Sequence, residues 1–304
     1  MLKLNLFTLL VLLALAPLQG QTQPSAKDYF ESGLARVRRG DADGALIDIG
    51  KAIDLNPGFA EAYYLRATIR LGRRDLDGSL ADFNKTLELA PTAPVLDAVY
   101  NNRSVVRLLK GDTVGALSDL NMALSLNPKY AEAYNGRAAI RANADDLEGG
   151  LSDYQKALEL KPDLAASYLG RGLIHFQRGN LDVALTDLDR ALELAPNIAK
   201  AYLERGTIRG LKGDTEGALA DIRKGLSLEP GAASESIREN FPSPFSRINR
   251  FVADHPKNPR AYELRAVFRL LQGRKSEAEH DFRKSLELDP KLKSEVEKFA
   301  AAFK

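Results

Sequence analysis

Proline returns along this chain at Pro57, Pro91, Pro128, Pro162, Pro196, Pro230, Pro256 and Pro290, with gaps of 34, 37, 34, 34, 34, 26 and 34 residues. A period held this closely marks an array built from copies of one small unit, each burying its apolar face only against its neighbours. A length of 304 residues then needs no second compact core, because an array grows by adding units.

Numbering each unit so that its proline is position 32 exposes the content of the repeat. Position 4 is Tyr29, Tyr63, Tyr100, Tyr134, Tyr168, Tyr202 and Tyr262. Small residues stand at position 8 (Gly33, Ala67, Ser104, Ala138, Gly172, Gly206, Ala266) and at position 20 (Ala45, Ser79, Ala116, Gly150, Ala184, Ala218, Ala278). Position 24 is apolar throughout, as in Ile49, Phe83, Leu120 and Leu188. Between the two halves lie turns such as Lys110-Gly111-Asp112 and Arg178-Gly179-Asn180, where glycine can take the left-handed conformation that ends a helix. Each unit therefore reads as two antiparallel helices that cross at small residues, with proline closing the second.

The pattern resembles the tetratricopeptide repeat family, in seven well-formed copies over roughly residues 26–290. It departs from the family where Ser32 replaces the arginine of the other copies at position 7, where arginine replaces the usual aromatic at position 11, and in a shortened unit before Pro256. The resemblance implies an all-α, right-handed superhelical solenoid of antiparallel helix pairs. Repeats one to six would occupy 26–230, a degenerate short repeat or bend 231–258, and repeat seven 259–290. Over 291–304, Leu292, Val296, Phe299 and Phe303 share one stripe and charged residues fill the other faces, which is the pattern of a capping helix. The insertion Thr92-Ala93-Pro94 lengthens one inter-repeat turn, and Phe241-Pro242-Ser243-Pro244-Phe245 interrupts the degenerate unit, where a bend or loosened interface is expected.

The N-terminus is of another kind. Lys3 precedes an apolar stretch from Leu4 to Ala16, after which the chain turns polar. This fits a secretory signal peptide over 1–20, cleaved after Gly20, with a polar leader over 21–25. The apolar run falls short of the roughly 20 residues of a spanning helix, so an uncleaved anchor is the weaker alternative. Export to a periplasm or the medium, without stable membrane insertion after cleavage, is the expectation. A formal net charge of +2, from 43 basic and 41 acidic residues, argues against a dedicated nucleic-acid surface. The absence of cysteine excludes disulfides, thiolate metal sites and cysteine nucleophiles.

The most regular polar signal is arginine in the first helix, at position 7 (Arg66, Arg103, Arg137, Arg171, Arg205, Arg265) and position 11 (Arg36, Arg70, Arg107, Arg141, His175, Arg209, Arg269). Position 23 is aspartate without exception: Asp48, Asp82, Asp119, Asp153, Asp187, Asp221 and Asp281. Two readings follow. Each aspartate pairs with the position-7 arginine across its hairpin, or the arginines form a ladder for a polyanion or cell-envelope polymer. The constancy of one acid per unit favours pairing at position 7 and leaves position 11 open. His175, His255 and His280 lie in different units without metal-type spacing, and no arrangement offers a nucleophile or an acid/base pair, so no catalytic residue, metal or cofactor is expected.

The family resemblance implies instead a concave groove lined by first helices, chiefly at positions 2, 5, 9, 12 and 13. Here those include Tyr64, Thr68, Asn101, Val105, Leu108, Asn135, Leu169, Leu173, Phe176, Leu203, Thr207 and Leu211. Apolar positions with scattered amides suit an extended peptide or amphipathic helix of a protein partner. Phe30, Leu34 and Leu65 stand where a carboxylate clamp for C-terminal tails would need polar groups, so that specialised function is not implied. The expected activity is that of a non-enzymatic, exported scaffold for protein interaction, with polyanion binding through the arginines second and an enzyme of unrecognised type third.

Overall fold

A computed structural model describes residues 23–89, 93–229 and 242–302. The expected signal peptide, part of the leader, Pro91 and Thr92, the first half of the degenerate unit, and Phe303 lie outside the described residues. By its contacts the chain divides into two units, with the boundary between Leu126 and Asn127.

The first unit holds three helix pairs: α1 (Ala26–Arg38) with α2 (Ala42–Leu55), α3 (Ala60–Gly72) with α4 (Leu76–Glu88), and α5 (Ala93–Leu109) with α6 (Thr113–Leu126). Each second helix also packs on the next first helix, α2 on α3 and α4 on α5. Small residues set the crossing distance within a pair. A Cβ added to Gly33 would meet the end of the Ile49 side chain at 2.6 Å, so in repeat one the isoleucine occupies the space that the missing Cβ leaves. The gap beside each crossing is filled by a bulky residue such as Ile49 or Phe83, both fully buried.

The second unit continues in the same way with α7 (Ala131–Asn143) and α8 (Leu147–Leu160), α9 (Ala165–Gln177) and α10 (Leu181–Leu194), and α11 (Ala199–Leu211) and α12 (Thr215–Leu228). Then come α13 (Pro242–Asp254), the pair α14 (Pro259–Leu271) and α15 (Lys275–Leu288), a 3-10 turn Pro290–Leu292, and α16 (Lys293–Ala302). Where the sequence marks a shortened unit, α14 packs on α12, and α13 lies against α11 and α14, the first helices on either side. Leu292, Val296 and Phe299 of the closing segment are buried in the same core as Leu264 and Phe282.

Local chemistry fixes where the second helices begin. Asp41, Asp75, Asp146 and Asp214 each cap a helix by accepting from the backbone N–H of a glycine three residues on. The first helices end on left-handed residues, Gly40, Gly111, Gly179, Gly213 and Gly273, with Arg74 and Asp145 taking that conformation in repeats two and four.

Candidate functional site

The arginine rows are internal to the repeats. The position-7 guanidinium donates two hydrogen bonds to the buried aspartate of its own hairpin: Arg66 to Asp82, Arg137 to Asp153, and Arg171 to Asp187, at 2.7–2.9 Å. Arg103, Arg205 and Arg265 hold Asp119, Asp221 and Asp281 in the same way. Each of these guanidinium groups also lies over the position-4 tyrosine three residues earlier, 5.3–5.6 Å from the ring centre. A third bond often reaches the preceding repeat, as from Arg103 to Asn84, Arg171 to Gln155 and Arg205 to Asp189. The hydrogen bond to Asp221 therefore raises the Arg205 pKa well above its ordinary value against the opposing effect of burial.

Position 11, left open by the sequence, is occupied too. Arg70, Arg107, Arg141, Arg209 and Arg269 each bring a second guanidinium to the same buried aspartate, at 2.5–2.9 Å. In repeat one Arg36 and Ser32 share Asp48, both at 2.7 Å, which accounts for the serine at position 7. The ladder is thus a row of carboxylates clamped by arginines, and its charge is largely spent inside the fold. Repeat five alone has histidine at position 11, and the buried His175 Nδ1 has no hydrogen-bond partner. Burial lowers the His175 pKa, Asp187 opposes this, and Arg171 and Arg178 reinforce it.

Sequence reasoning overlooked a second ionic pattern, in which position 14 of one repeat pairs with position 18 of the repeat before. It joins Arg73 to Asp43 and Lys110 to Asp77 in the first unit, and Arg178 to Glu148 and Lys212 to Asp182 in the second. The signal was a basic residue four places before an acid in the sequence frame, offset by one repeat.

The inferred groove residues separate into three groups. Thr68, Val105 and Leu108 are exposed, the latter two at 40% and 37%. Half-buried are Tyr64, Asn101, Asn135, Leu169, Leu173 and Phe176. Tyr64 packs on Phe83 and its hydroxyl accepts from Asn102 at 3.0 Å, while Asn135 accepts from Ser167 at 2.8 Å, so both help join neighbouring first helices. Leu169 and Phe176 rest on a core that includes Leu188 and Ile208, with Leu173 beside them on α9. Leu203 and Thr207 are closed, at 2% and 1% exposure, and Leu203 belongs to the core that holds Ile248 of α13.

Among the described residues no cluster of histidine and carboxylate side chains could hold a metal ion, and no helix is long and apolar enough to cross a membrane. His255 is taken up locally, its Nδ1 lying 3.0 Å from the Phe251 carbonyl.

Profiles of the tetratricopeptide repeat match residues 30–94, 165–198 and 246–292. The chain belongs to the tetratricopeptide repeat family. No curated protein sequence matches it significantly. Among solved structures, a tetratricopeptide repeat protein from Parabacteroides merdae aligns over 91% of this chain and 98% of its own, with 20% identity and a TM-score of 0.57. The pilF protein of Pseudomonas aeruginosa aligns over 75% and 97%, with 16% identity and a TM-score of 0.60. A chain of the APC/C hetero-tetramer Cut9-Hcn1 aligns over 69% of this chain at 16% identity and a TM-score of 0.62, and this chain spans 41% of it. At these identities the likeness is one of fold. As a tetratricopeptide repeat protein the chain is, in general terms, a scaffold for protein interaction.

Proposed function

We propose that this tetratricopeptide scaffold is exported and captures a segment of a protein partner, extended or helical, on the first-helix face of its repeats. The observation that carries the reading is the open apolar strip on α9, where Leu169, Leu173 and Phe176 remain half-buried while Arg171 and Arg178 beside them are committed to Asp187 and Glu148. A strip of large apolar side chains gives a partner segment few but strong anchors. The reading is non-enzymatic, and a hydrolytic activity that survives purification would count against it. Polyanion binding finds little support, because the position-11 guanidinium groups already face carboxylates.

The test places a photo-crosslinking side chain at Leu173 in the full chain, identifies the captured segment by mass spectrometry, and remakes that segment as a synthetic peptide. Phe176→Glu should abolish binding of the peptide while the chain stays folded, with a thermal midpoint lowered only slightly, and Arg70→Gln should leave binding nearly intact. The reverse pattern would return the arginines to the role of binding surface. Intact mass of the native protein beginning near Gln21 checks export.

A further inference from the structure

Helix α13 does not complete a repeat of its own among the described residues. It lies against α11 and α14, which are the groove-lining helices of repeats six and seven. Its described side chains divide cleanly: Ile248 and Val252 are buried at 1% and 3%, Phe251 is half-buried, and Arg250 and Asp254 are exposed. Ile248, Phe251 and Val252 stand at i, i+3 and i+4, one face of a helix. That face enters the core with Leu203 and Leu264, and the Phe251 ring lies so close to Gly213 that a Cβ there would sit 3.3 Å from its edge. Two of the positions open on α9, those of Leu169 and Leu173, are closed on these two helices: Leu203, Thr207, Glu263 and Val267 are all at 2% exposure or less, while Leu270, in the place of Phe176, is half-buried.

The chain thus displays, in one place, how this face receives an amphipathic helix. Position 14 of repeat seven is Gln272 and that of repeat four is Ala144, whereas repeats two, three, five and six have a basic residue there paired to the preceding repeat.

We propose that the face of α11 and α14 beneath α13 is a second, helix-specific docking site, held by the chain's own helix and open in exchange to a partner helix. The partner presents three large apolar side chains at i, i+3 and i+4 with charges on its opposite side, as α13 does. The resident helix is tethered to α14 by a short linker, so it competes at high local concentration. The partner's apparent affinity is lowered by the fraction of chains in which α13 is docked. This site is distinct from the open strip on α9 and does not depend on it.

Two measurements test the exchange. The chain has no cysteine, so Val252→Cys and Ala266→Cys each give a single buried thiol, one under α13 and one in the repeat-seven crossing. Local opening of α13 should let Val252→Cys react with a maleimide on the order of tenfold faster than Ala266→Cys under native conditions. Equal rates would mean that α13 leaves only with the whole fold, and the proposal would be overturned. Second, a fluorescein-labelled peptide of residues 242–256 is titrated into wild type and into Ile248→Asp. The expected result is saturable binding to the variant, weaker binding to wild type, and none by a peptide carrying the same substitution. Absence of binding to a variant with wild-type helical content would overturn it, as would concentration-dependent dimers of wild type that Ile248→Asp abolishes, since a second copy would then be the occupant.

Discussion

Helices α9 and α11 occupy equivalent places in neighbouring repeats of the second unit, and they treat the same three positions oppositely. On α9, Leu169, Leu173 and Phe176 are half-buried; on α11, Leu203, Thr207 and Gly210 are buried. Both helices pair with a second helix and Arg171 and Arg205 hold Asp187 and Asp221 alike, but α11 adds Arg209 to its clamp where α9 has His175, and Leu203 packs so closely on Gly225 of α12 that a Cβ there would meet it at 2.9 Å. A neighbour differs as well: α13 lies on α11 and is not among the helices that pack on α9. Position within a repeat therefore decides which way a side chain faces, and the rest of the chain decides whether that face is a surface or a core.

The largest expected effect comes from placing a charge at position 5 of both repeats. Leu203→Glu buries an unpaired carboxylate among Leu264 and Ile248 and should cost about 4 kcal/mol, whereas Leu169→Glu can turn its carboxylate to water and should cost about 1 kcal/mol. Thermal or urea unfolding of the two variants reads the difference. Equal costs would mean that α9 is as closed in solution as α11, and the comparison would fail.

Next in size is the clamp. Asp153 faces two guanidinium groups, Arg137 and Arg141, while Asp187 faces one, Arg171, with His175 in the second place. Asp153→Ala strands two partly buried cations and should cost about 3 kcal/mol, after allowance for the solvent that still reaches them, and Asp187→Ala about 2 kcal/mol. Lys161→Ala, at an exposed pair with Glu132, should leave the unfolding midpoint unchanged. A larger loss at Asp187 than at Asp153 would show that the second guanidinium adds nothing.

How much of this could be read in advance follows from what repeats and what does not. Crossing residues such as Gly33 and Gly172, the closing prolines and the Arg-Asp pair recur at fixed spacing, and a local rule copied seven times is legible from one chain. The role of position 11 was harder because a guanidinium four residues along the same face suits either a ligand or the same aspartate, and only side-chain reach decides. The closing of Leu203 is only partly written in its own repeat, where Gly225 makes room for it. Leu203 also shares a core with α13, whose sequence Ile248-Asn249-Arg250-Phe251-Val252 looks like the tail of an ordinary second helix until its packing on α11 is known.

A smaller effect separates repeats four and five at position 11. His175→Arg should supply the second guanidinium to Asp187 and raise stability by about 1 kcal/mol. The wild-type imidazole also makes an acid-sensitive point. Its pKa is lowered in the fold, so below its ordinary value near 6.5 the unfolded chain binds a proton that the folded chain resists, and stability falls as the pH drops. Unfolding midpoints at pH 7 and pH 5 should therefore separate more for wild type than for His175→Arg. A wild-type midpoint no more pH-sensitive than the variant's would place the histidine ring in water.

The smallest effect lies in the turns that follow these first helices. Repeat four turns at Asp145 with φ of 65°, where repeats five and six use Gly179 and Gly213 at 79° and 90°. A left-handed conformation costs an L-residue roughly 1–2 kcal/mol, and less for aspartate, which bonds locally. Replacing it by glycine also frees the unfolded chain, which removes roughly 0.5–1 kcal/mol of the gain. Asp145→Gly should then be stabilising by no more than about 0.5 kcal/mol, while Arg74→Gly, at φ of 61° with a side chain that offers no such local bond, should gain more. If Asp145→Gly instead lowers the midpoint, the carboxylate is holding the turn that leads into Asp146, the cap of α8, and repeat four differs from its neighbours in how its hairpin is closed.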